Sequence, residues 1–175
     1  MKPAHPLRPF LPADTIRLQD LLGQSIEELT GEDYDEEQRL AWMSGAADAI
    51  AFAKRLGENL TLIVEQDGEI EGFASLKANS EIDLLFVHPF SIREGVGTAL
   101  IDALERIAAA RGAEKLTADV SDTAYEFFLA RGYQPTRRNN IPIGDVWLAN
   151  TTMSKTLAKG GAAPTKGAPD DGERS

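Results

Sequence analysis

Between Asp14 and Leu29, apolar residues recur at Ile16, Leu18, Leu21, Leu22, Ile26 and Leu29. This three-and-four spacing predicts an amphipathic helix, with Gly31 ending it. Residues 33–54 keep a helical pattern and predict one or two further helices, with Trp42, Met43, Ile50 and Phe52 turned inward. Gly57 and Asn59 stop that pattern, and the period changes at Leu60. Leu60–Val64, Ile70–Leu76 and Ile82–Val87 are short apolar runs that predict strands, the first two joined by the hairpin signal Asp67-Gly68. Gly95–Ala110 predicts a helix with Val96, Leu100, Leu104 and Ile107 on its apolar face. A strand over Lys115–Val120, a helix over Asp122–Ala130 stopped by Gly132, and two closing strands follow, one from Tyr133 and one over Asp145–Met153. Leu7–Phe10, wedged between prolines, predicts a short edge strand. This order predicts an α/β chain with a mixed sheet.

A chain of 175 residues has the length of one domain. Residues 158–175 are rich in Gly, Ala and Pro and lack large apolar side chains, so a disordered tail is expected there. The absence of cysteine excludes disulfides, thiolate metal sites and a cysteine nucleophile. Two histidines, His5 and His88, cannot build a His-rich metal centre, and no metal is expected. The net charge of −10 argues against a nucleic-acid partner, and the first 80 residues hold 7 basic and 15 acidic side chains. That half favours a cationic partner such as an amine, and the acidic run from Glu27 to Glu37 contains no basic residue. With neither a membrane-length apolar run nor a secretory signal, a cytoplasmic protein without a membrane partner is expected.

The most informative stretch is IDLLFVHPFSIREGVGTALIDAL, residues 82–104. A buried strand leads through a loop into Gly95-Val96-Gly97-Thr98, which opens a helix. The first amides of a helix have no internal acceptor and lie at the positive end of its dipole. Glycines there let a diphosphate approach the backbone. A dinucleotide fingerprint would need a third glycine where Leu100 stands, and a P-loop would need Gly-Lys-Ser/Thr.

The strand IDLLFVHP, the loop SIREGVGTAL, the segment AYEFFLARGY and the closing LANTTMSKTL together resemble the GNAT superfamily of N-acetyltransferases. The likeness spans Leu7–Leu157 and implies a single acetyltransferase domain over residues 1–157, built on a mixed, mostly antiparallel central sheet flanked by helices. It implies acetyl-CoA as co-substrate, an amine of a small molecule or peptide as acceptor, direct transfer in a ternary complex, and a possible homodimer. The family's Q/R-x-x-G-x-G/A loop falls on Ile92, Arg93, Glu94, Gly95, Val96 and Gly97, followed by Thr98. Both glycines match, Ile92 departs from the pattern, and Arg93 supplies a charge one place later. The strand positions Leu85, Phe86 and Val87 are implied to hold the pantetheine arm through their backbone. Ser121 stands where many members carry a CoA-contacting asparagine, and Arg131 is placed to meet the nucleotide phosphates.

Glu81 matches the family's general-base glutamate, with Asp83 the second candidate. Strand alternation predicts that Glu81, Asp83, Leu85 and Val87 share one face. The family's general-acid tyrosine falls on Phe128, which has no proton to donate but can pack against the pantetheine arm. Tyr125, one helical turn earlier, is then the substitute acid. A non-catalytic acyl-CoA-binding module and a nucleotide-binding regulator remain the alternatives at this point.

Overall fold

The computed structural model describes residues 5–158. Apart from Ala158, the expected disordered tail lies outside the described residues. Seven strands form one sheet: β1 (Leu7–Pro9), β2 (Leu60–Gln66), β3 (Glu69–Lys77), β4 (Glu81–Val87), β5 (Lys115–Ser121), β6 (Gln134–Ile143) and β7 (Val146–Thr156). Their spatial order is β1-β2-β3-β4-β5-β7-β6. Neighbours are antiparallel except β4 and β5, which run parallel. The helices are α1 (Thr15–Leu29), α2 (Glu36–Ser44), α3 (Ala49–Glu58), α4 (Val96–Ala110) and α5 (Tyr125–Ala130). This is the expected α/β fold with a mixed, mostly antiparallel sheet.

The sheet separates two cores. On one face, Leu100, Ile101 and Leu104 of α4 pack with Val64, Ala74, Leu76, Ile82, Leu116 and Val120. On the other, Leu18, Leu22 and Ile26 of α1 and Phe52 and Leu56 of α3 pack with Ile63, Phe73 and Phe86. Each fully buried side chain of this size contributes about 1.5–3 kcal/mol. Gly72 lets α4 seat this closely: a Cβ there would stand 2.8 Å from Val96 Cγ1 and 3.0 Å from the Phe86 carbonyl oxygen.

Two expectations change. Ile50, expected inward, is 85% exposed. The Asp48 side chain caps α3 by accepting from the Ile50 and Ala51 amides, and Phe52 and Leu56, one turn apart, take the inward face. The helix expected over 122–130 begins at Tyr125, because residues 122–124 form a turn closed by the Ser121 side chain, which accepts from the Ala124 amide.

Candidate active site at the split between β4 and β5

β4 and β5 pair only at Glu81↔Thr117 and Ile82↔Ala118. Beyond those residues the strands diverge, and neither backbone finds a partner across the gap. Elsewhere β4 is paired along its length with β3. An unpaired strand edge inside a sheet is a set of donors and acceptors awaiting an extended ligand.

The gap begins beside a bulge. Ser75 of β3 pairs with Leu84, while its neighbour Leu76 pairs with Ile82, leaving Asp83 as the extra residue. An extra residue reverses the alternation beyond it. Ile82, Leu85 and Val87 therefore face α4, whereas Leu84 and Phe86 face the α1–α3 core. The expectation that Glu81, Asp83, Leu85 and Val87 share a face is corrected: the bulge sends Leu85 and Val87 to the opposite side. Asp83 is clamped by α3, its carboxylate accepting from Arg55 Nε at 2.7 Å, Arg55 Nη2 at 3.0 Å and Asn59 Nδ2 at 3.0 Å. Glu81 is half-buried. Burial first, then the adjacent charge of Asp83, raises its pKa above the ordinary carboxylate value.

At the far end of the gap stands the start of α4. Gly95 is its N-cap in the left-handed region, at φ 90°. Among the described residues, the amides of Val96, Gly97 and Thr98 donate to no acceptor. Gly97 lies against Phe127 and Val87: a Cβ added to it would stand 3.2 Å from Phe127 Cζ and 3.7 Å from Val87 Cγ2. Arg131 reaches the same turn: its Nη1 donates to Thr98 Oγ1 at 3.1 Å, and its guanidinium lies 5.8 Å from the Phe127 ring centre. Arg93 and Glu94 are exposed on the preceding loop, and Arg93 adopts φ 64°, rare for a residue with a side chain. The family loop carried onto this chain therefore converges with Arg131 on one helix start.

A crevice of about 310 Å³ opens where the strands part. Asp83, Leu84, Leu85 and Phe86 border it from β4, and Ala118 to Ser121 from β5. Phe128, only 4% exposed, closes one side. Tyr125 lines a different cavity, with Asp122, Arg137 and Arg138 between α5 and β6. The other two tyrosines are structural. The Tyr34 hydroxyl donates to the Ala149 carbonyl at 2.7 Å and accepts from the Asp122 amide at 2.9 Å. The Tyr133 hydroxyl donates to Glu105, and burial raises its pKa far above the ordinary value.

The acidic run does not reach the crevice. Asp33 accepts from Thr123, Asp35 caps α2, and Glu27 lies 3.8 Å from Arg39. Sequence reasoning missed Asp119, Arg55 and Ile143 from the β6–β7 hairpin, and favoured Trp42 as core over Trp42 as a cavity wall; all four line it. Asp119 was findable: Leu116, Ala118 and Val120 alternate into the α4 core, so Asp119 must face the other way. Arg55 carried no signal, because its value here depends on the bulge. Among the described residues no group of three or more His, Cys, Asp or Glu side chains is placed to hold a metal ion. No described helix is long and apolar enough to cross a membrane.

A sheet whose one parallel neighbour pair, β4 and β5, parts after two residue pairs, with a glycine-opened helix at the mouth of the gap, is shared with solved acetyltransferase structures. The family model of the acetyltransferase (GNAT) domain matches residues 30–157, and the chain belongs to that family. It is 26% identical over 147 residues to the uncharacterised N-acetyltransferase YafP of Escherichia coli strain K12, covering 84% of this chain and 93% of that protein. Among solved structures, the GCN5-related N-acetyltransferase "Aminotransferase, Class-II" from Rhodopseudomonas palustris is 51% identical, with a TM-score of 0.87 over 90% of this chain and 98% of that one. The PaiA N-acetyltransferase of Thermoplasma acidophilum, solved in complex with coenzyme A, shares the fold at 19% identity, with a TM-score of 0.74 over 87% and 98% of the two chains.

Proposed function

We propose that this chain is an acetyl-CoA-dependent N-acetyltransferase, a single domain over residues 1–157 that transfers acetyl directly to a primary amine in a ternary complex. One observation carries the reading: the unpaired gap between β4 and β5 runs to the free amides that open α4. Membership of the family and the coenzyme A bound by a protein of the same fold support it.

The residues present fit the group. The amides of Val96, Gly97 and Thr98 suit a diphosphate, and Arg131 adds charge beside Thr98. The gap edge of β4 at Leu85 and Val87 suits the amide-bearing arm. Bound acetyl-CoA would supply the acyl group as a reactive thioester. An ammonium has no lone pair, so the acceptor must first lose a proton. Glu81, whose proton affinity is raised by burial and by Asp83, accepts it through water. Asp83 is held by Arg55 and Asn59, which suits it to fix the bulge rather than to exchange protons. Backbone amides on the gap side of β4 stabilise the charge that develops on the carbonyl oxygen. Phe128 keeps water from the sulfur but offers no proton, so the thiol leaves as thiolate, tolerable for a group with a pKa of about 8.5.

The test is calorimetric titration with coenzyme A, joined to thiol release from acetyl-CoA over an amine panel. Micromolar binding with amine-dependent release supports the reading; release without an amine, or no binding, rejects it. The apolar Phe128 favours one second reading, a non-catalytic acyl-CoA-binding module. Tight coenzyme binding with no turnover of any amine would establish that instead.

A further inference from the structure

We infer that the acceptor is a monoamine carried on a compact aromatic or apolar body, held by Trp42 and Phe86 with its ammonium at Asp119. The inference rests on the acetyltransferase reading and names the substrate class of the same crevice. The crevice passes through the sheet, and its two sides differ. The α4 side is bordered by Leu85 and Phe128. The opposite side is walled by Leu22, Trp42, Ala46, Leu84 and Phe86. Trp42 and Phe86 lie 6.2 Å apart with tilted rings, and Trp42 is only half-buried, so one of its surfaces remains for a ligand. Such a wall receives an apolar or aromatic body, not a hydrated polycation.

Charge sets the number of amines. Three ionisable side chains line the crevice: Arg55, Asp83 and Asp119. Arg55 and Asp83 neutralise each other through two hydrogen bonds. Asp119 accepts from Thr152 Oγ1 at 2.6 Å and has no basic partner among the described residues. Asp119 is the one uncompensated carboxylate in the lining; Glu81, which feels its charge but lies outside the lining, is assigned to the proton, so the lining matches one ammonium. Size points the same way: about 310 Å³, at the small end of the roughly 300–1,000 Å³ of ligand sites, must also admit the acyl end of the carrier, which suits a compact acceptor. The ammonium first gives one proton through water to Glu81; the amine nitrogen then bonds to the acyl carbon as the carbon–sulfur bond breaks, the second nitrogen proton passes to solvent, and the sulfur leaves as thiolate.

The test uses the full chain with 2-phenylethylamine, spermidine and a short peptide with a free N-terminus. Trp42 and Trp147 are the two tryptophans, and Trp147 is 55% exposed outside the crevice. Trp147→Phe therefore makes Trp42 the only indole reporter of amine binding, read with and without coenzyme A. Expected are quenching of Trp42 by 2-phenylethylamine and a kcat/KM for it at least about tenfold above spermidine and the peptide. Trp42→Ala then erases that preference through KM, with coenzyme A affinity unchanged, and Asp119→Asn, which removes a charge-assisted hydrogen bond to the ammonium, raises KM at least about tenfold. Equal or better turnover of spermidine or the peptide, or a preference that survives Trp42→Ala, overturns the inference and leaves the acetyltransferase standing. Quenching without turnover of any amine does the reverse: the pocket assignment holds and the enzyme reading falls. No quenching under either condition overturns the assignment.

Discussion

Gly97→Ala separates coenzyme binding from folding. The added methyl would stand 3.2 Å from Phe127 Cζ and 3.4 Å from Cε1, tighter than comfortable contact by a few tenths of an ångström. Phe127 is half-buried and can yield, so the strain is on the order of 1 kcal/mol or less. Alanine in place of glycine favours a helix by about 1 kcal/mol. The two effects oppose each other, and Tm is expected to move by less than about 4 °C, since 1 kcal/mol shifts a domain of this size by about 2–4 °C. Binding has no such compensation. The methyl sits at the turn whose free amides are to receive the diphosphate. Losing one hydrogen bond to a charged group costs about 1.5–3 kcal/mol, or roughly ten- to a hundredfold in Kd. Calorimetry against coenzyme A, with a thermal melt of the same sample, reads both quantities. A Kd within twofold of the unaltered protein would refute the placement of the diphosphate.

Glu81→Gln is expected to lower kcat about 100- to 10,000-fold and to remove the acidic limb of the pH–rate profile. Because its pKa is raised on folding, native Glu81 favours the fold below the unfolded carboxyl's pKa and loses that contribution as pH rises through the raised value. The glutamine variant should therefore melt no lower than the native chain at pH 7, and a lower melt would mark a structural role. Phe128→Tyr places a hydroxyl in the crevice; kcat rising several-fold in stopped thiol-release assays would show that thiolate departure limits the rate, and no change would show that it does not. Tyr34→Phe removes a hydroxyl bonded to Ala149 and Asp122 from a site 4% exposed, and should cost about 1–3 kcal/mol in denaturant melts. Asp14 has its pKa lowered by the Arg8 hydrogen bonds, so its stabilisation is present above about pH 4 and lost as pH falls through the lowered value. Asp14→Asn should flatten the acid side of the stability–pH curve in denaturant melts.

The regular elements were legible because their periods are local. Val96, Leu100 and Leu104 mark one stripe of α4, and all three are buried as that spacing demands. The Gly95–Gly97 turn was legible because its chemistry is in the backbone. The bulge at Asp83 was not, since it exists only in the pairing of β4 with β3, and the misassigned face of Leu85 and Val87 follows from it. Ile50 misled for a similar reason: a cap at Asp48 sets the rotation of α3, and composition alone carries no trace of that angle. Trp42 reads in sequence first as core and second as a cavity wall, and the structure makes it both, half-buried with the rest lining the crevice.

The breach between β4 and β5 perforates the sheet, so on the proposed reading the coenzyme and the amine would approach back to back and meet at its throat. A single compound threading that throat, coenzyme at one end and amine at the other, would gain the affinity of both halves while losing its freedom once. If the proposed placement holds, such a bridged molecule is an inhibitor scaffold for this chain.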